Sequence, residues 1–423
     1  LHTITQNGFL TRSLDTPVRD GWSQFLTQAK AVGYYLHTLV MPVHLSVEPQ
    51  FFEQQQVAGP VVLPILLTIS LCGLFILGGL SLQRALKQRY CEVLFLSSWP
   101  VVSLLPVLVF PLNVFVNERR LYLPCAAFCV GLALLIHGRF QQRAGILQRP
   151  RIRRVLSTVG VAAFCILFAA LSLSRNRVWA DDFSLWSDAV EKSPLMPRVH
   201  LYLGNVHKEA ALRTRDREVE LAHWKEADEA YETVIELKSD EELSLRALNN
   251  RGSIQFELKD YLAAEPFFRR AVEIKPMYAD ANINLGSILL WKGRRSASTD
   301  SMLDYLNQAI SMYERALSVL PNQQQGLTNL GVAYQELGQY QKALSCYNRA
   351  RVLNPMDWMV LRNLGSVHLA LARRALAEDK PADGLLLKAR RYFTSSLHFN
   401  AAEEDARVGL EKVEELLRAL NAQ

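Results

Sequence analysis

Residues 329–355 read NLGVAYQELGQYQKALSCYNRARVLNP. Small residues stand at Gly331, Ala343 and Ala350, bulky ones at Leu330, Tyr334 and Tyr347, and Pro355 closes the run. Gly and Ala let two helices approach closely, Tyr fills the space between them, and proline stops the second helix. The stretch 247–276, ALNNRGSIQFELKDYLAAEPFFRRAVEIKP, repeats the pattern with Gly252, Ala264, Phe268, Ala271 and Pro276. The next unit begins near Ala279 with Leu285 and Gly286, so Gly252 to Gly286 is one full period. Paired antiparallel helices are the structure that such spacing specifies.

The period and these positions are those of the tetratricopeptide repeat, and about five units are expected over 197–400. Three units are longer than the norm. Gly286 to Ala309 exceeds Gly252 to Ala264 by eleven positions, and Gly204 to Ala227 has the same excess. A third excess follows Gly365, before Tyr392. Eleven positions make about three helical turns, so the inserts lengthen helices without rotating their apolar faces. Residues 401–423 read as a charged capping helix with an apolar stripe at Leu410, Val413, Leu416 and Leu417. Such an array binds a protein or peptide on its concave face, or serves as a spacer for the rest of the chain. It carries no evident chemistry.

Residues 1–175 differ. The chain is 50% hydrophobic, and nearly all its long apolar runs lie there. Runs at 57–82, 91–110, 121–138 and 155–173 are each long enough to cross a bilayer as helices. The expected architecture is therefore mainly α: polytopic transmembrane helices over 57–174, followed by an exoplasmic helical solenoid. The loops at 84–89 and 138–154 are basic, and the second carries six arginines and no acid. Both read as cytoplasmic, which puts residues 111–120 and everything after 174 on the opposite side. The net charge of +6 is thus assigned to topology, not to nucleic acid. Five of the six cysteines lie in or beside apolar runs, and no metal-ligand spacing occurs.

Two flanking segments are amphipathic. Residues 22–49 hold an apolar stretch broken by His37, Pro42 and His44. It is either interfacial or re-entrant, or a fifth span; His37 and His44 are candidates to reach a site. The segment 1–56 is assigned to the exoplasmic side. Residues 175–196 read as a linker helix with a stripe of Trp179, Phe183, Trp186 and Ala189 or Val190. Its adjacent acids Asp181 and Asp182 face different sides of a helix and do not form a pair. The chain opens LHTITQ, with neither initiator Met nor signal-peptide pattern, and is expected to start inside a longer protein.

The order FLTQAKAVGYYLHTLVMPVHLSVEPQF (25–51), NERRLYLP (117–124) and RNRVWADDFSLWSDAVEKSPLMPRVHLYLG (175–204), followed by the repeats, resembles the C-terminal part of the membrane O-mannosyltransferases with tetratricopeptide repeats, in a bacterial-type relative. The resemblance covers essentially the whole chain. It implies a GT-C glycosyltransferase that moves a sugar from a polyprenyl-phosphate donor to a protein hydroxyl outside the cytoplasm. It also implies an early acidic catalytic loop that Asp15 and Asp20 do not match; that loop would lie in an upstream segment or a separate subunit. Glu118, Arg119, Arg120 and Tyr122 match the family's charged and aromatic element at the outer membrane face. Arginine can grip phosphate oxygens in a fork while Glu118 orients it. The plainer reading is that these residues anchor the chain to membrane lipid. The implied setting is a bacterial inner membrane with periplasmic repeats, or an endoplasmic reticulum membrane with lumenal ones. The competing reading is a non-catalytic membrane scaffold for an exoplasmic complex.

Overall fold

The structure, a computed structural model, describes residues 150–238 and 240–421, with a subset of residues between 23 and 49. The expected spans at 57–82, 91–110 and 121–138 lie outside the described residues. Two compact units are present, residues 1–237 and 238–423.

In the first unit, α1 spans Pro150–Val178. It contains the uncharged run 155–173. Among its described side chains, Val155, Val159, Ile166, Leu167 and Leu173 are all more than half exposed. Among the described residues no helix is long and apolar enough to cross a membrane. Only part of the apolar side chains of α1 is described, so the polytopic arrangement stays an expectation. Helix α2 covers Asp182–Lys192, and Asp181 caps it by accepting from the Ser184 amide at 2.8 Å and hydroxyl at 3.0 Å. This satisfies orphan amide donors at the helix start and gives Asp181 a structural task. The expected stripe packs as a face except at Phe183: Ala189 is buried, and Trp179, Trp186 and Val190 lie against the same apolar cluster. Leu185 and Ala189 are its buried residues, Trp186 stacks on Tyr202 at 4.4 Å, and Phe183 is 48% exposed.

Residues 45–49 dock on the same helix. Val47 joins Leu185, Ala189 and Val199 in one apolar cluster. Lys192 Nζ donates to the Leu45 carbonyl at 2.9 Å, and Arg198 lies 3.6 Å from Glu48. Asp188 then links Arg175 of α1 at 2.7 Å to Lys192 at 2.6 Å. The pair α3 (Pro197–Arg213) and α4 (Arg217–Glu236) completes the unit, with proline at the start of α3 and Asp216 capping α4.

The second unit stacks four further pairs and a terminal helix. These are α5 (Glu241–Glu257) with α6 (Tyr261–Ile274), α7 (Ala279–Arg295) with α8 (Thr299–Val319), α9 (Gln324–Glu336) with α10 (Tyr340–Leu353), and α11 (Trp358–Ala377) with α12 (Asp383–Phe399). Helix α13 is Glu404–Asn421. The inserted residues do lengthen helices: α4 has 20 residues and α8 has 21, against 14 in α6 and α10. In the last pair the alanine position is Ala389, one place further from Gly365 than Ala309 is from Gly286. The inter-helix aromatic there is Phe393, one place beyond Tyr392.

Each pair closes on the same contact. The aromatic of the second helix packs against a glycine of the first: Tyr231 on Gly204, Phe268 on Gly252, Tyr313 on Gly286, Tyr347 on Gly331 and Phe393 on Gly365. All five rings are at most 1% exposed. Each such burial stabilises the fold by about 1.5–3 kcal/mol. Phe393 is shared, because Gly409 of α13 also packs against its ring. The apolar side of α13, with Ala406 and Val413 buried and Leu410, Leu416 and Leu417 packed beside them, covers the end of the core.

Candidate peptide-recognition face

The candidate site named from sequence at Glu118, Arg119, Arg120 and Tyr122 lies outside the described residues, as do His37 and His44. What the described residues bring together is a polar row along the first helices of successive pairs. Each of Gly252, Gly286, Gly331 and Gly365 is preceded by asparagine two positions earlier, at Asn250, Asn284, Asn329 and Asn363. The glycine must face the second helix. A residue two positions earlier is turned about 200° around the helix, toward the opposite side.

Asparagines of the row bond to neighbours of the row in the preceding repeat, Asn249 beside Asn250 and Ser287 beside Gly286. Asn284 Nδ2 donates to Asn249 Oδ1 at 2.9 Å. Asn329 Nδ2 donates to Ser287 Oγ at 3.1 Å, and the Tyr313 hydroxyl donates to the same oxygen at 3.3 Å. Ser287 in turn donates to the Ile283 carbonyl at 3.0 Å. Burial pushes the Tyr313 phenol far above its ordinary value, so it stays a neutral donor. Arg294 of α7 reaches Glu336 of α9 at 2.8 Å along this run of helices.

At the end of the row, α11 and α13 flank an open groove of about 620 Å³, with Tyr340 at its edge. Arg362, Asn363, Ser366 and Arg373 line it from α11, and Asp405, Gly409 and Lys412 from α13. Arg362 is engaged: it pairs with Glu403 at 2.8 Å and Asp405 at 3.3 Å, and donates to Asn363 Oδ1 at 3.2–3.3 Å. These contacts fix the amide orientation of Asn363 and leave its NH2 group as a donor. An asparagine row of this kind carries both donor and acceptor groups, the types that pair with backbone carbonyls and amides.

Behind the groove, His368 is 8% exposed, stacks on Tyr392 at 5.5 Å, and has an Nδ1 with no hydrogen-bond partner. Burial, aided by Lys388, pushes its pKa down. Glu265 of α6 receives Arg269 at 2.6 Å and is also paired with Lys292 of α7. Burial pushes its carboxyl up, but those two partners outweigh it and hold the group below its ordinary value. Both residues serve packing and not the polar row.

Sequence reasoning found the repeat positions but missed the asparagines. Their signal was present, as an Asn at a constant offset from the repeat glycine. The groove was not legible, because Arg373 and Lys412 come from helices that the whole of α12 separates in the chain.

The tetratricopeptide repeat family matches residues 325–357 and 216–279. The chain is 41% identical over 69 residues to the BBSome complex member BBS4 of Xenopus tropicalis, covering 16% of this chain and 13% of that protein. It is 26% identical over 246 residues to Protein O-mannosyl-transferase TMTC1 of Mus musculus, covering 56% of this chain and 24% of that protein. The chain therefore spans a quarter or less of the length of these relatives. Among solved structures it resembles a thermophilic tetratricopeptide protein of Thermus thermophilus, at 21% identity and a TM-score of 0.36, covering 52% of this chain and 98% of that one. The chain thus carries tetratricopeptide repeats and has moderate similarity to the TMTC O-mannosyl-transferases over about half its length.

Proposed function

We propose that the chain is the C-terminal portion of an exoplasmic glycosyltransferase that moves a sugar from a polyprenyl-phosphate donor to a protein hydroxyl, its repeats holding the acceptor or a partner. The observation that carries this reading is the similarity to TMTC1, which extends over 246 residues. In this reading α1 is one of several spans. Its uncharged run at 155–173 is about 28 Å long at a rise of about 1.5 Å per residue, close to the hydrocarbon thickness of a bilayer. The exposed Val155, Val159, Ile166, Leu167 and Leu173 then face lipid. Glu118, Arg119, Arg120 and Tyr122 form one wall of the donor-phosphate site at the outer surface, where a fixed arginine stabilises charge growing on the leaving phosphate. The catalytic acid belongs to an upstream segment or another subunit. The membrane is a bacterial inner membrane, or the endoplasmic reticulum with lumenal repeats.

The asparagine row supports the acceptor-binding part. Peptide recognition is a common use of such arrays, and the row supplies the polar groups that an extended chain needs.

The test is transfer of labelled sugar from polyprenyl phosphate to candidate acceptor proteins by the full-length protein in membranes. Replacing Arg119 and Arg120 by alanine lowers turnover if they hold donor phosphate. Absence of transfer, with turnover-independent capture of stoichiometric partners, favours the scaffold reading. The similarity to BBS4, described as a complex member, is the observation behind that second reading.

A further inference from the structure

The seam between α3 and α4 holds two histidines that the packing of a helical pair does not call for. His207 of α3 and His223 of α4 approach with the same atom, Nδ1 to Nδ1 at 3.1 Å. His207 is 8% exposed, and Phe183 of α2 meets it edge to face with ring centres 5.3 Å apart. The arrangement belongs to the lengthened hairpin. His207 stands three places after Gly204, and His223 four places before Ala227. In the short pairs the place of His223 is taken by Asp260 and Gln339, each the cap residue before its helix begins. In the lengthened pair α7–α8 the two places carry Leu289 and Tyr305, both packed in the apolar core. An apolar pair therefore fills this seam, and two imidazoles are not needed to close it.

In the hydrogen bond between the two rings, one Nδ1 donates and the other accepts. A metal ion takes the place of that shared proton and uses both lone pairs. Zinc–nitrogen bonds of about 2.0–2.1 Å across the 3.1 Å separation give an N–metal–N angle of about 95–102°, between the octahedral and tetrahedral values. The fold holds the two helices at this span: Tyr231 of α4 packs on Gly204, one turn before His207, and donates to Asn205 Oδ1 at 2.8 Å. Glu226 follows His223 by three places on α4, and its negative charge acts on His207. Burial and the second imidazole favour the neutral His207 ring, the form that coordinates a metal.

We propose that His207 and His223 form a two-imidazole site for a divalent transition-metal ion of the zinc and copper class, which clips α3 to α4. Among the described residues no group of three or more His, Cys, Asp and Glu is already assembled around a metal position. The site is thus a two-point chelate whose other positions are filled by water, or by Glu226 when its exposed side chain turns inward. Imidazole suits Zn2+, Cu2+ and Ni2+, whereas Mg2+ takes oxygen ligands. An ion held by the folded hairpin and not by the unfolded chain stabilises that hairpin. Metal binding here is independent of sugar transfer, and either can fail without the other.

The experiment uses the untagged full chain in detergent, stripped with a chelator, with Zn2+, Cu2+ and Mg2+ as probes. Calorimetric titration with Zn2+ shows a saturable component whose affinity His223→Gln lowers about tenfold or more. The H207L/H223Y variant carries the residues of the α7–α8 seam, keeps wild-type helicity by circular dichroism and lacks that component. Should the double variant lose helicity, His223→Gln, which changes a half-buried residue, decides alone. Hydrogen exchange of α3 and α4 slows with Zn2+ in the wild type, but neither with Mg2+ nor in the variants. Paramagnetic resonance of bound Cu2+ shows coupling to two imidazole nitrogens, reduced to one in His223→Gln. Zn2+ affinity unchanged in His223→Gln overturns the proposal, as does equal protection by Mg2+. Zn2+ binding that leaves exchange in α3 and α4 unaltered overturns it too, because the ion then sits elsewhere in the chain.

Discussion

Two Gly→Ala changes in the second unit have opposite expected signs. At Gly331 a new Cβ would lie 2.5, 2.8 and 3.0 Å from Tyr347 Cε1, Cδ1 and Cζ. The ring has no room to retreat, being fully buried with its hydroxyl donating to Gln335 Oε1 at 3.0 Å. Overpacking of this kind costs about 1–3 kcal/mol, while alanine in a helix returns about 1 kcal/mol relative to glycine. The net for Gly331→Ala is a destabilisation of up to about 2 kcal/mol, the overpacking cost less the propensity gain. At Gly384, in the first turn of α12, a Cβ meets nothing within 4 Å. There only the propensity term acts, so Gly384→Ala stabilises by about 0.5 kcal/mol. Hydrogen exchange resolved by helix reads both. Amides of α9 and α10 exchange faster by up to about 30 times in the first variant, and those of α12 slightly slower in the second. A Gly331→Ala protein as protected as wild type would refute the view that glycine–aromatic contact sets the spacing of the helices. Restoration of protection by adding Tyr347→Leu would support it.

His368 and His207 are both buried enough to have their pKa pushed below the ordinary 6.5, His207 also by the neighbouring His223. The unfolded chain then binds protons that the native state refuses, so stability falls as the pH drops below 6.5 toward their native values. His368→Phe, which keeps the stack on Tyr392, should flatten that loss in urea titrations run from pH 7 to 5; an unchanged slope would count against it. Glu265 has the opposite sense. Its contribution is present above the ordinary 4.5 and is lost as pH falls through its lowered native value, so Glu265→Gln removes part of the acid sensitivity below pH 5. The same titration at lower pH checks it. Asp188→Ala leaves Arg175 and Lys192 without their shared carboxylate and should destabilise the first unit by about 1–3 kcal/mol. Faster proteolysis of the α1–α2 region is the readout, and unchanged resistance would show the link to be dispensable.

The repeat half was readable because its constraints are local and periodic. A glycine without Cβ, an aromatic at a fixed offset from it in the short units (Phe268 after Gly252, Tyr347 after Gly331), and a proline at the end of three of the pairs (Pro276, Pro321, Pro355) specify a helical hairpin before any long-range contact is known. The inserts were readable for the same reason, since three turns preserve the phase of a helix. The asparagine row could have been read by the same arithmetic. The stripe across 179–190 was read correctly except at Phe183, which periodicity placed on the face by its size. Packing against α3 and Val47 added Leu185 to Ala189 and left Phe183 half exposed.

By itself the sequence determined the class of structure, a run of paired helices closed by an amphipathic cap, because every one of those elements is written in intervals shorter than a repeat. Tertiary structure decided which polar groups are spent and which are free. Arg362 and Arg373 lie on one face of one helix and look equivalent in sequence, yet Glu403 and Asp405 reach the first and no described carboxylate reaches the second. The reason is distance: a charge is neutralised by whatever the fold brings within about 4 Å, and α13 brings its acids to one end of the groove and Lys412 to its lining.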